Sequence, residues 1–173
     1  NGDDHPATMA YVLLALEAVD ADYNEELAVN SLISSQKDSG KILDVDTTAM
    51  VLTALSNYKD EYEINENIEK GFEYISKKQQ NNGGFIAWGN SNPYTITTVI
   101  NALVANDKEV LSEDFIKNNN SLIDALLAFK DGKYFKYKTE YGSEKTSITE
   151  QAYIALLSFE KNSFPLKNIE IQK

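Results

Sequence analysis

Two aspartates stand at positions 44 and 46, directly before an apolar run, in the stretch LDVDTTAMVLTAL at residues 43–55. A carboxylic acid that its neighbours hold protonated and poised can act as a general acid. Asp is also among the preferred helix N-caps, because its side-chain oxygen accepts a backbone N–H. We favour the cap: Asp46 accepts the amide of Thr48 or Ala49, and Asp44 lies in the loop. Asp44, Asp46 and Thr47 are candidates for lining a ligand site.

Two residue types that serve in many active sites are scarce in this chain. It has no cysteine, which excludes disulfides, thiolate metal ligands and a thiol nucleophile. Its single histidine is His5, next to Pro6, and we expect it to face solvent at the start of a helix. We therefore predict no catalytic residue and no metal site, and we favour a protein that is not an enzyme.

The charge pattern bears on partners. Sixteen lysines and no arginine stand against twenty-seven acidic residues, for a net charge of −11 at pH 7. This field repels phosphate backbones and anionic lipid headgroups, so we expect no nucleic acid partner. The apolar stretch at residues 9–19 contains Glu17 and is shorter than the ~20 residues that cross a bilayer. We expect no membrane insertion.

A ten-residue pattern occurs four times, starting at Ala7, Asp46, Tyr94 and Ser147, and each copy ends in Ala-Leu. No copy carries more than one charged residue, so most of each helix circumference should face protein. Successive starts are 39, 48 and 53 residues apart, as expected for an array of helical hairpins. The pattern predicts four inner helices, with capping signals at Asp46, before Pro93, and at Ser147 with Glu150.

Amphipathic segments separate these copies, at residues 24–36, 65–80 and 121–130, and they predict outer helices. The fold class is therefore all-α, with two layers of antiparallel hairpins. Residues 133–141 alternate weakly and predict a short β-hairpin. We assign residues 1–162 to one helical repeat domain and residues 163–173 to an exit segment.

Aromatic residues are the other candidates for ligand contact. Trp88, Tyr94, Tyr134 and Tyr141 fall in loops after outer helices or at inner-helix starts. Rigid rings with polar tips suit contact with a sugar, a corrinoid or a protein partner. The alternative is that they fill the core, since large aromatics are buried on average.

One segment carries a family resemblance. The stretch KGFEYISKKQQNNGGF at residues 70–85 resembles the repeat motif of terpenoid cyclases and protein prenyltransferases. The matching positions are Lys70, Gly71, Tyr74, Ile75, Gln79, Gly83 and Phe85. Most of the chain resembles the prenyltransferase-like repeat domains of secreted and cell-surface proteins of Gram-positive bacteria. The run DVDTTAM also resembles the helical domain of intrinsic factor and transcobalamin.

The resemblance implies an α/α toroid, of which this chain would form a partial ring of about 3.5 hairpins. It implies further hairpins before residue 1, a β-rich companion domain outside this chain, and a secreted or cell-surface location. An open ring edge would expose apolar surface, which predicts self-association or covering by N-terminal residues. The expected function is non-catalytic binding of a small-molecule or protein ligand, with a cobalamin-like ligand as the sharpest expectation.

Two alternatives stay open. Class II terpene cyclases, to which the resemblance extends, protonate an alkene with the middle Asp of D-x-D-D followed by Thr-Ala. Here the run reads Asp44, Val45, Asp46, Thr47, Thr48 and Ala49, so a threonine stands in place of the last Asp. The chain could then be a fragment of a cyclase or prenyltransferase-type enzyme. The second alternative is a structural spacer domain.

Overall fold

A computed structural model describes residues 5–139 and 142–165. The seven α-helices in these ranges are α1 (Pro6–Ala18), α2 (Glu25–Ser34), α3 (Val45–Leu55), α4 (Asn65–Lys78), α5 (Pro93–Ala105), α6 (Leu122–Leu127) and α7 (Thr146–Lys161). The six short strands are β1 (Ile86–Ala87), β2 (Asn90–Ser91), β3 (Lys130–Asp131), β4 (Tyr134–Phe135), β5 (Tyr137–Thr139) and β6 (Gly142–Glu144). The helices lie in the segments at which the sequence predicts inner and outer helices.

By its internal contacts the chain divides into two units. Among the described residues, one comprises 5–77 with 164–165, and the other comprises 78–139 with 142–163. In the first unit α1 packs against α2 and α3, and in the second α5 packs against α6 and α7. The predicted single domain at residues 1–162 and exit segment at 163–173 stay predictions.

The two central inner helices are buried as their uncharged sequences predict. From Thr47 to Leu55, α3 exposes only Met50 partially, and α5 buries eleven of its side chains. Polar residues inside these helices bond to the helix backbone, as Thr53 does to the Ala49 carbonyl at 2.9 Å. Burying these apolar faces supplies the main stabilisation of both units.

Helix α1 departs from the predicted pattern, because it buries only Ala10 and Leu13 fully. Its outer stripe exposes Tyr11, Val12 and Val19, at 57%, 51% and 49% of their surfaces. The prediction of an inner helix enclosed on all sides is therefore wrong for α1. The contacts with α2 and α3 cover one side of α1 and leave the other in solvent. Self-association through this stripe stays a prediction.

Helix starts differ from the sequence prediction at two places. Asn92 caps α5 as expected, with its side-chain oxygen 2.9 Å from the Tyr94 amide. The start of α7 lacks the expected cap, because the helix begins before Ser147, after a Lys145 that makes no side-chain cap bond. The reciprocal capping box occurs instead at α6, between Ser121 and Asp124.

The strands form three antiparallel pairs, β1 with β2, β3 with β4, and β5 with β6. The prediction of a single hairpin at residues 133–141 is therefore wrong. Strand β4 pairs with the preceding strand β3, and β5 pairs with the following strand β6. Tyr141 lies outside the described residues. Within the described ranges, none of the helices has the length and apolar character that a membrane crossing requires.

Candidate functional site

The start of α3 is organised by Asp44 rather than Asp46. The Asp44 side chain accepts the Thr47 backbone N–H at 2.7 Å, which makes it the N-cap. The prediction that Asp46 is the cap is wrong, because the helix begins two residues earlier. Leu43 adopts a left-handed φ of +60°, which turns the chain so that Asp44 reaches the capping position.

Thr48 fixes this turn from inside the helix. Its hydroxyl oxygen accepts the Ile42 N–H at 2.9 Å. The same hydroxyl lies 2.5 Å from the Asp44 carbonyl and 3.1 Å from the Ile42 carbonyl. Thr48 is fully buried, so these bonds are shielded from water and hold the loop rigidly against the helix.

Asp46 lies in the first turn of α3 and is half-buried. The positive end of the helix dipole favours a negative charge at this position. Burial first, and then the charge of Asp46, raise the pKa of the Tyr11 hydroxyl on α1. Burial and the charge of Asp44 likewise raise the pKa of Tyr74 on α4. Two protonated phenols therefore lie in the electrostatic field of the two aspartates.

Thr47 faces the interior of its unit, with 4% of its surface exposed. It stands where the cyclase motif has its last aspartate, so no carboxylate occupies that position to poise Asp46. Asp44 already accepts the Thr47 N–H. The arrangement offers one half-buried carboxylate and a neighbouring phenol, which can bind a hydrogen-bond donor or a cation.

The predicted aromatic contacts lie in the second unit. Trp88 is 89% exposed, and Tyr134 is 44% exposed beside Lys133 and Lys145. Tyr94 is half-buried in the first turn of α5, with its ring centroid 5.9 Å from that of Tyr137 in an edge-to-face pair. These residues are therefore not equivalent as ligand contacts. Whether any of them binds a ligand stays a prediction.

Tyr11 and Tyr74 were missed as candidates. Tyr11 was treated only as one member of an apolar helix, and Tyr74 only as an aromatic of the repeat motif. Their proximity to the aspartates depends on the packing of α1 and α4 beside α3. One feature of the sequence could have identified Tyr11. In the aligned ten-residue copies it takes the position of Met50 and Thr98, so an aromatic phenol stands where those copies have other residue types.

The decisive comparison concerns the whole domain. A family model of the squalene-hopene cyclase C-terminal domain matches residues 14–159. The chain belongs to this family. No match is found among curated proteins. The seven helices are consistent with the α/α toroid-type fold of a squalene-hopene cyclase C-terminal domain, and the all-α fold class is confirmed.

Membership in the squalene-hopene cyclase family confirms the resemblance to terpene cyclases and prenyltransferases. It identifies the chain as terpene cyclase-like, which agrees with the enzyme-fragment alternative more directly than with non-catalytic binding. The relationships to Gram-positive surface proteins and to cobalamin carriers stay predictions.

Proposed function

We propose that this squalene-hopene cyclase-type domain binds a small ligand at the start of α3 without protonating it. The observation that carries the proposal is Thr47, which is buried where the cyclase motif has a carboxylate. Asp46 would act toward this ligand as a hydrogen-bond acceptor or a fixed negative charge. Tyr11 and Val12 extend this polar end into an exposed apolar stripe.

The arrangement favours a ligand with an apolar body and a polar end that carries a hydrogen-bond donor. An apolar ligand body would remove the α1 stripe from water, and Asp46 would orient the polar end. A polycyclic or polyprenyl alcohol meets these requirements. A cobalamin-like ligand, which carries amide donors on a large rigid ring, belongs to the same proposal. We also propose that the protein is secreted or lies at the cell surface.

Catalysis of the terpene-cyclase type is the second candidate, and the family match is the observation that favours it. Asp46 occupies the position of the middle Asp in the cyclase motif. In this case Asp46 would donate a proton to an alkene and would have to be reprotonated from solvent. Tyr11, whose hydroxyl lies in the electrostatic field of Asp46, would then be a phenol that could stabilise the developing cation with its ring.

Thermal unfolding with squalene in mixed micelles, a polyprenyl alcohol in the same micelles, and cyanocobalamin tests the proposal. A bound ligand should raise stability with concentration, by about 2.7 kcal/mol at one hundred times its Kd. Asp46→Asn should weaken binding by at least about tenfold, because a charge-assisted hydrogen bond is lost. The matched control is Asp60→Asn, an exposed aspartate in the turn after α3.

Product analysis of the same samples separates the two candidates. Binding without any cyclised product, with sensitivity to Asp46→Asn alone, supports the binding proposal. A cyclised product that disappears in Asp46→Asn establishes the cyclase alternative instead. Absence of stabilisation by all three compounds contradicts both candidates for these ligand classes.

A further inference from the structure

A pocket of about 420 Å³ opens in the second unit between the end of α4 and the β1–β2 hairpin. Its lining residues are Gln79, Gln80, Asn81, Asn82, Ile86 and Ser91. Five of these side chains are polar and none is charged. A pocket of this kind has no group that would select an anion or a cation, and it suits a neutral polar ligand.

The wall of the pocket is fixed in place. The Gln79 amide nitrogen donates to the carbonyls of Gly83 and Phe115, each at 2.9 Å. The Asn82 side-chain oxygen accepts the Gly84 N–H at 3.0 Å. These bonds hold the loop that carries the lining residues, so a ligand would meet a preformed surface.

Two lining side chains keep their hydrogen-bonding capacity. The Asn81 amide and the Ser91 hydroxyl make no hydrogen bond to any residue in the described ranges. An amide group offers two donors and one acceptor, and a hydroxyl offers one donor and an acceptor. Together they can serve several hydroxyl groups of one ligand.

Trp88 stands at the tip of the hairpin whose base lines the pocket. Ile86 pairs with Ser91 across the hairpin, and Trp88 with Gly89 forms the two-residue turn. Two residues of chain span at most about 7 Å, so the backbone of Trp88 lies close to that of Ile86. The indole therefore projects from the same small hairpin as two of the lining residues.

Trp88 adopts a left-handed backbone conformation that is unfavourable for a bulky residue. Its φ is +54° and that of Gly89 is +77°, a turn in which Asn-Gly is the preferred pair and a bulky first residue is rare. Its indole is 89% exposed and makes no ring contact with a described residue. Residues held in strained backbone conformations are concentrated at functional sites.

We infer that this pocket and Trp88 form a binding site for a neutral saccharide. The apolar C–H face of a pyranose ring would pack on the indole, while Asn81 and Ser91 bond its hydroxyl groups. Uncharged lining residues favour a neutral sugar over a phosphorylated or acidic one. The site is independent of the ligand site proposed at α3, since its residues belong to the other unit.

Tryptophan fluorescence provides a direct test, because Trp88 is the only tryptophan in the chain. Maltotriose, cellotriose and tri-N-acetylchitotriose are titrated to roughly 10 mM, enough to detect a Kd in the millimolar range. We expect at least one of them to produce a saturable blue shift. Inorganic phosphate under the same conditions should produce none. Absence of a shift with all three sugars overturns the inference.

Calorimetry with the active sugar distinguishes this site from other contacts. Trp88→Ala should reduce affinity by at least about tenfold, and Asn81→Ala and Ser91→Ala by about three- to tenfold each. Tyr153→Ala removes a half-exposed aromatic that does not line this pocket and should leave affinity unchanged. Thermal unfolding checks that each variant is folded. A folded Trp88→Ala variant that binds as the native chain does would place the sugar elsewhere and refute the site.

Discussion

The loops at residues 36–40 and 79–83 follow α2 and α4 and have the same backbone plan. In each, the side-chain amide of a glutamine donates to the carbonyl of a glycine four residues later, at 3.2 Å from Gln36 to Gly40 and 2.9 Å from Gln79 to Gly83. Both glycines are left-handed, with φ of +83° and +82°. Each loop is thus stabilised by a hydrogen bond between two of its own residues, in addition to its bonds to neighbouring segments.

The loops differ in how completely the glutamine is bonded. Gln36 donates to the Asn67 carbonyl at 2.8 Å and also accepts the Asn67 side-chain amide at 2.9 Å. Gln79 donates to the Phe115 carbonyl at 2.9 Å, but its buried side-chain oxygen has no partner among the described residues. The shared bonds to backbone carbonyls therefore define the motif, while the reciprocal side-chain bond is specific to the first loop.

The largest expected effect comes from a methyl group at either of the two glycines, since a Cβ at Gly40 would likewise collide with the Lys70 carbonyl. A Cβ at Gly83 would collide with the Ser121 carbonyl and lie 3.0 Å from the Asn120 carbonyl. We expect Gly83→Ala to cost about 4 kcal/mol, as left-handed strain adds to a backbone clash. Urea unfolding measures this. Gly132→Ala is the matched control, because Gly132 has φ of +64° but open space around it, and should cost only about 1 kcal/mol. Equal costs would show that the close approach is unimportant.

Removing each glutamine compares the two loops directly. Gln36→Ala leaves the Asn67 side chain and two carbonyls without their bonds, whereas Gln79→Ala leaves two carbonyls. We expect losses of about 3 and about 2 kcal/mol in the free energy of unfolding. Gln80→Ala, which loses a single exposed bond to the Lys78 carbonyl, serves as the control. A larger loss at Gln79 would reverse the ranking of the loops.

Asn67→Ala should make the first loop resemble the second. The substitution removes the donor to the Gln36 oxygen and leaves the backbone carbonyl of residue 67 in place. We expect a loss of about 1 kcal/mol, the usual contribution of one hydrogen bond. Asn65→Ala, at the exposed start of α4, is the control in the same denaturation series. A cost near zero would mean that the reciprocal bond contributes nothing.

We expect alkaline pH to lower the stability of the first unit, to which the first loop belongs. The Tyr23 hydroxyl donates to Glu17 at 2.6 Å and lies 2.6 Å from the Tyr58 hydroxyl. Burial and the bond to Glu17 raise the pKa of Tyr23 to about 12, above its ordinary 10.0. The folded state therefore holds this proton more tightly than the unfolded state, so stability is complete below pH 10 and declines as the pH rises towards 12.

The expected decline is no more than about 1 kcal/mol, because Tyr23 is partly exposed and solvent screens its neighbours. Urea unfolding at pH 9 and near pH 12, compared between the native chain and Tyr23→Phe, measures it. A steeper decline in Tyr23→Phe than in the native chain would contradict the assignment. The second loop should respond to these pH values only through global unfolding.

Much of this arrangement follows from local sequence. The helices were predictable because their apolar residues recur at helical spacing, and the glycine loops because a left-handed residue after a helix favours glycine. Gln79 was identified through the resemblance at residues 70–85. The bonding partners Asn67 and Phe115 lie 31 and 36 residues away from Gln36 and Gln79, and no local pattern specifies them.

In the candidate site, too, local sequence predicts some features, while others depend on how distant segments pack. Asp44 and Asp46 were identified from their spacing, but their roles were exchanged, because the left-handed turn at Leu43 carries no glycine or asparagine to reveal it. Tyr11 approaches Asp46 only through the packing of two helices. The exposure of the α1 stripe likewise depends on which elements pack beside α1, and its sequence resembles that of the buried helices.

The sparse burial of α1 has a consequence for how the molecule opens. Only Ala10 and Leu13 anchor the helix fully, whereas α3 buries eight of its residues. Separating α1 from its neighbours exposes the face of α3 that it covers but few fully buried side chains of its own, so we expect this opening to require less free energy than global unfolding. The amide hydrogens of α1 should exchange with deuterated solvent well before those of α3. A protease that needs an extended substrate should cleave α1 while the rest of the first unit is still folded.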